Sequence, residues 1–247
     1  MKKRVDQVLV EKGHVSSRAK AQRIILAGWV LVGDQKVDKP GTLVDSNASI
    51  RILGGTSPYV SRGGIKLEHA LQVFGVRPEG KVVLDIGIST GGFTDCLLQQ
   101  GAKKIYGVDV GYGQLDWRLR TDSRVILRER TNARTLSKAT LYEGGEAANL
   151  AVMDVSFISV LKIFPVFWDL LVPPREVVSL IKPQFEAGRE KVQKGGLVKD
   201  PAVHQEVLEK IQSALVQEGW EIAGVTDSPI RGGEGNQEFF LYIKGIH

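Results

Sequence analysis

Nine consecutive residues, Asp85-Ile86-Gly87-Ile88-Ser89-Thr90-Gly91-Gly92-Phe93, combine a carboxylate, three glycines and two hydroxyls. Glycines lack Cβ, so a ligand can come close to such a backbone, and a helix starting just beyond would offer free N–H groups. Asp109 follows Asp85 after 24 positions. An acid at the end of the next strand is placed to accept hydrogen bonds from ribose hydroxyls. A nucleotide-type ligand is therefore expected. A dinucleotide fingerprint would read Gly-x-Gly-x-x-Gly, whereas this loop reads Gly87-x-Ser89-x-Gly91-Gly92 behind an acid.

These residues need a strand before them and a helix after them. Val82–Ile86 reads as a buried strand, and a helix is expected from about Phe93 to Gln100. Lys104–Asp109, Leu150–Asp154 and Glu176–Ile181 are further strand candidates with helical stretches between. Such alternation predicts a doubly wound, mostly parallel α/β sheet. The last two strand candidates, Glu221–Thr226 and Glu238–Lys244, have no helix between them, so an antiparallel finish is expected. Phe185–Val203, polar and glycine-bearing, reads as a mobile loop.

An acid-x-Gly turn suits S-adenosylmethionine, which brings no pyrophosphate to cradle, and the antiparallel last strand agrees. Residues 80–245 resemble a class I (Rossmann-like) methyltransferase, and Asp-x-Gly-x-Ser-x-Gly-Gly-Phe resembles the FtsJ/RrmJ branch of RNA 2′-O-methyltransferases. The resemblance implies Asp85, Gly87, Ser89, Gly91, Gly92, Phe93 and Asp109 as S-adenosylmethionine contacts. It also implies a Lys-Asp-Lys-Glu set, with Lys66, Asp154, Lys182 and Glu238 as its members in order. A ribose hydroxyl must lose its proton as it attacks the donor methyl. A free lysine, with a pKa of about 10.4, is already protonated at neutral pH. The expectation is that Lys66 and partial burial lower Lys182, which then assists deprotonation while Asp154 and Glu238 hold the lysines.

The first quarter of the chain differs in charge. Residues 1–62 hold 11 Lys+Arg against 5 Asp+Glu, a net of +6, while residues 63–247 hold 22 against 23, a net of −1. A small polyanion-binding module on a nearly neutral body fits that division. Its pattern is a short helix stopped near Gly13, a second from Ser16 or Ser17 to Ala27 before Gly28, then short strands at 29–32 and 48–53. Arg4-Val5-Asp6, Ser16-Ser17-Arg18-Ala19-Lys20-Ala21 and Lys39-Pro40-Gly41 resemble an S-four-type RNA-binding domain. The resemblance makes Arg4, Arg18, Lys20 and Lys39 candidate RNA contacts. The whole arrangement is similar to the TlyA family, ribosomal RNA 2′-O-methyltransferases often labelled haemolysins, which methylate cytidine ribose. Expected boundaries are 1–55 for the RNA-binding domain, 56–64 for a linker and 65–247 for the methyltransferase domain.

Other classes are disfavoured. No apolar run approaches the roughly 18 residues of a membrane span, and no apolar stretch follows Met1-Lys2-Lys3 as in a secretory leader. One cysteine, Cys96, forms no internal disulfide, and a reducing cytoplasm is the expected setting. Four scattered histidines give no metal site. Ribosomal RNA or ribosomal subunits are the expected partners, with no membrane and no obligate protein. A membrane-lysing protein, a non-catalytic RNA-binding protein and a nicotinamide-linked oxidoreductase remain alternatives. Tyr59 and Ser61-Arg62 lie where the two modules join and are candidates for coupling them.

Overall fold

The computed structural model describes residues 2–52, 58–232 and 235–245. Its first part contains β1 (Lys2–Arg4), α1 (Val5–Glu11), α2 (Arg18–Leu26), β2 (Val30–Val32), β3 (Gln35–Val37), β4 (Leu43–Asp45) and β5 (Ile50–Ile52). Val5, Val8 and Leu9 of α1 pack with Ala21 and Ile25 of α2 over Val30, all buried. Ser17 caps α2 by accepting the Lys20 backbone N–H, and Gly28 reverses the chain at φ +73°. β2 is the centre of a three-stranded antiparallel sheet, β3-β2-β5. The β1–β4 ladder was not expected. Three charged residues show no two-residue alternation, so Lys2-Lys3-Arg4 carries no strand signal.

The remainder is a seven-stranded sheet. Its elements are α3 (Arg62–Phe74), β6 (Val82–Ile86), α4 (Gly92–Gln99), β7 (Lys104–Val108), α5 (Trp117–Arg120), β8 (Val125–Arg128), α6 (Lys138–Tyr142), β9 (Leu150–Met153), α7 (Pro165–Leu170), β10 (Glu176–Ile181), α8 (Pro183–Glu186), α9 (Pro201–Gln217), β11 (Trp220–Asp227) and β12 (Phe239–Gly245). The order is β11-β12-β10-β9-β6-β7-β8, and β12 alone runs against its neighbours. β6 is buried at every position, as a central strand covered on both faces must be. α3 and α4 cover one face through Leu67, Leu71 and Leu97; α7 and α9 cover the other through Phe167, Ile211 and Leu215.

Two expectations need amendment. Residues 53–57, most of the expected glycine-rich linker, lie outside the described residues, and Arg62, Gly63 and Gly64 form the first turn of α3 rather than linker. Phe185–Val203 is not one open loop. It holds the end of α8, a Gln193–Leu197 bridge and the start of α9. Asn236 ties it to the body, accepting the Val198 N–H at 2.8 Å and donating to the Gly196 carbonyl at 2.8 Å. Long-range side-chain bonds of this kind leave no local pattern in the sequence.

Candidate active site

Strand register brings the chemistry together. In the parallel pair β6–β9, Ile86 lies opposite Met153, so Gly87 and Asp154 leave the sheet side by side. In the antiparallel pair β10–β12, Ile181 lies opposite Phe239, so Lys182 and Glu238 meet just beyond. All four positions fall beyond the carboxyl ends of the parallel strands, where doubly wound folds place ligands.

A cavity of about 120 Å³ opens there, lined by Gly87, Ser89, Gly92 and Phe93 of the loop, by Arg62 and Lys66 of α3, and by Asp154. Leu26 and Ala27, at the end of α2, close one side. Gly87 has φ +84°, and a Cβ there would meet the Asp154 carbonyl oxygen at 2.1 Å. Bare backbone is therefore required. Gly91, at φ +94°, packs beneath Leu115 and Leu119, and a Cβ on Gly92 would strike Ser61 Oγ at 2.2 Å. Asp109 holds the loop from behind, accepting the Ser89 N–H at 2.8 Å and the Gly111 N–H at 2.7 Å. Each carboxylate oxygen retains a lone pair for a further donor.

Asp85 is fully buried below this loop and does not line the cavity. Its Oδ2 accepts the Thr94 hydroxyl at 2.6 Å, while Oδ1 has no hydrogen-bond partner among the described residues. Burial pushes its pKa up to about 7 against the Thr94 bond, with Asp154 and Asp109 adding to the rise.

The lysines and acids form two ion pairs. Lys66 pairs with Glu238, with their side chains 8% and 2% exposed. Lys182 Nζ lies 2.5 Å from Asp154 Oδ1 and donates to Ser156 Oγ at 3.0 Å. The expected lowering of Lys182 is not what the geometry produces. Burial does pull its pKa down, but Asp154 and then Glu238 outweigh it, and the net direction is upward. The charge of Lys66 is spent on Glu238. Lys182 is an ammonium in this arrangement.

Arg62 also faces the cavity, and sequence reasoning placed it only at a junction. Burial lowers its pKa to about 10, against the field of Glu238. Its guanidinium lies over Gly28, where a Cβ would come within 2.4 Å of Nε. Trp29 Nε1 donates to the Val60 carbonyl at 3.3 Å, a second tie between the two parts. Phe157 was missed too. It has φ +65°, is 82% exposed and packs its ring at a 48° tilt against Phe185, with centroids 4.9 Å apart. A single exposed phenylalanine in a sequence cannot be told from a core one.

Arg4 and Arg18 converge on Asp6, with their nitrogens 3.0 and 3.1 Å from Asp6 Oδ2, and Gln22 donates to the same oxygen at 3.1 Å. The Arg4 hydrogen bond outweighs burial and holds the Asp6 carboxyl far below its usual range. Both guanidiniums stay about half exposed and line a surface groove with Lys2 and Lys3. Lys20 and Lys39 are exposed but lie outside that groove.

Comparisons with known proteins agree with this layout. The FtsJ-like methyltransferase family matches residues 59–244, and the S4 domain family matches residues 3–50. A Bacillus subtilis protein, YqxC, provisionally named an rRNA methyltransferase, is 50% identical over 98% of this chain and 85% of its own length. The 16S/23S rRNA (cytidine-2′-O)-methyltransferase TlyA of Mycobacterium tuberculosis is 39% identical over 98% of this chain and 89% of its own. A solved Streptococcus thermophilus structure, provisionally titled a hemolysin, is 43% identical and superposes with a TM-score of 0.76 over 99% of this chain and 88% of that one. With the glycine loop, the paired lysines and the reversed last strand in place, the chain belongs to the FtsJ-like methyltransferase family and carries an S4 domain ahead of its catalytic body.

Proposed function

We propose that this protein transfers a methyl group from S-adenosylmethionine to the 2′-hydroxyl of a cytidine in ribosomal RNA. The observation that carries the reading is the pair of ion pairs, Lys66–Glu238 and Lys182–Asp154, beyond the carboxyl ends of the parallel strands beside the glycine loop. Residues 1–55 would hold RNA and residues 65–247 carry the transfer.

The cavity residues fit the donor. Gly87 would offer bare backbone, Asp109, behind the loop, would turn its lone pairs to ribose hydroxyls, and Arg62 would meet the donor's carboxylate. Asp154, on the cavity wall, would set negative charge toward the cationic sulfur, with Asp85 buried beneath the loop behind it. When bound, the donor supplies an electrophilic methyl on a sulfonium. Lys182 meets the ribose hydroxyl as an ammonium, orients it and steadies the negative charge that grows on oxygen. The hydroxyl proton becomes strongly acidic as the C–O bond forms and the C–S bond breaks. Lys182 accepts it while passing its own proton to Asp154, 2.5 Å away. Lys66 and Glu238 brace the site from the side. The exposed ring of Phe157, backed by the tilted ring of Phe185, offers an apolar face to the base of the same nucleotide.

Among the described residues no helix is long and apolar enough to cross a membrane. The deciding experiment supplies labelled S-adenosylmethionine and intact ribosomal subunits from a strain lacking this protein, then maps the label. Label on a cytidine 2′-oxygen is expected. Label on a base, on protein or nowhere would overturn the reading.

A further inference from the structure

The near neutrality of the body conceals an uneven distribution. Residues 110–134 contain six arginines, no lysine and three acids, a net of +3, whereas residues 63–247 together carry −1. This segment starts one residue past Asp109. It also carries three large exposed apolar side chains, Val110 (73%), Tyr112 (66%) and Trp117 (63%). Soluble proteins seldom cluster such groups on an open surface without a use for them.

The segment faces the S4 domain. A groove of about 270 Å³ runs between α2, through Gln22, Arg23 and Leu26, and Tyr112, Gln114 and Trp117. Arg130 lays its guanidinium 4.3 Å from the Tyr112 ring centroid, and its backbone, at φ +53°, donates to the Gly111 carbonyl at 3.0 Å. Arginine stacked on tyrosine forms a flat cationic platform, which a nucleobase can extend. Trp117 supplies a second, separate ring. Polar and apolar side chains both line the groove, and the Ser89 hydroxyl of the donor loop donates to Gln114 Oε1 at 3.2 Å.

We propose that this groove is a second RNA-binding surface. It takes unpaired nucleotides of the substrate, stacks bases on Trp117 and on the Tyr112–Arg130 platform, and sets their phosphates against Arg23. Arg118, Arg120, Arg124 and Arg128 are each held by an acid, so Arg23 and the Tyr112–Arg130 platform, together with continuity with α2 of the S4 domain, select RNA as the occupant. Arginine without lysine suits phosphate and stacked bases, because the planar guanidinium binds both. The S4 domain would then hold the folded RNA while the groove threads a single strand past the donor loop.

The proposal rests on RNA being the substrate, and its test separates the two. The full-length chain is titrated with ribosomal subunits and, separately, with a short single-stranded oligouridylate bearing a fluorophore, following fluorescence anisotropy and methyl transfer. Trp117→Ala should weaken oligouridylate binding and raise KM for subunits by roughly 5- to 100-fold, the range of losing one stacked base. Its kcat at saturating RNA and its affinity for S-adenosylmethionine should be unchanged. Trp117→Phe keeps a stacking face and should restore most of the loss; Arg130→Ala should lower affinity as well. Unaltered KM and oligouridylate binding in a folded Trp117→Ala protein would overturn the proposal while the substrate reading stands. Loss of a co-purifying protein with unaltered RNA binding would assign the groove to a protein partner and overturn it too. If the unsubstituted chain neither binds nor methylates RNA, the substrate reading itself fails.

Discussion

Lys182 has two neighbours that decide its state. An ammonium 2.5 Å from Asp154 and within the field of Glu238 holds its proton more firmly than a free lysine. Its role therefore depends on Asp154 as proton acceptor. Lys182→Ala is expected to lower kcat at least 100-fold with nearly unchanged donor affinity, read by single-turnover methylation and by calorimetry. Asp154→Asn should lose both turnover and some donor binding. Asp85 makes a prediction in pH. Its folded pKa of about 7 lies above the ordinary carboxylate value of 3.8, so the folded state holds the extra proton between those pH values. Stability due to this group is full at low pH and is lost as pH rises through 7. An incoming cation favours the ionised form, so donor binding should strengthen over the same rise. Asp85→Asn should flatten both trends, giving a higher Tm than the parent at pH 8 and weaker donor binding there.

At the scale of elements, the turn after α2 does two things. Gly28 reverses the chain at φ +73° and leaves room for Arg62. Gly28→Ala incurs left-handed strain of about 1–2 kcal/mol and displaces a guanidinium from the cavity wall. A Tm fall of several degrees is expected, together with weaker donor binding, although Gly28 lies outside the catalytic body. Gly87→Ala should be harsher for function, because its Cβ would collide with the Asp154 backbone. Unaltered donor affinity in either variant would show that the loop and the turn do not shape the cavity. The glycines were legible as a motif in the sequence. That Gly28 seats an arginine of the same wall as Gly87 was not, because nearly 60 residues separate them.

For the whole molecule, the charge division has a measurable signature. RNA affinity should fall steeply with salt, and each phosphate contact removed should reduce the log–log slope by about 0.7–0.9. Arg18→Ala and Lys20→Ala together should flatten it by one to two units in filter-binding titrations. An unchanged slope would place the contacts elsewhere. The simple picture of a basic module on a neutral body also needs refinement. Residues 110–134 carry +3, so the rest of the body is more acidic than its total suggests.

The sequence alone determined the fold class. Buried strands alternating with helices force a parallel sheet, and a missing last helix forces the reversed strand. It also determined the donor loop, because glycine spacing beside an acid is a local requirement of backbone approaching a ligand. Tertiary structure decided what depends on neighbours brought from afar. Register set Lys182 against Glu238 and Asp154, and so kept the lysine protonated. Packing of α2 against the body set Arg62 over Gly28 and opened a groove beside Trp117. Protonation and surface shape follow distance in space, and a linear pattern records neither.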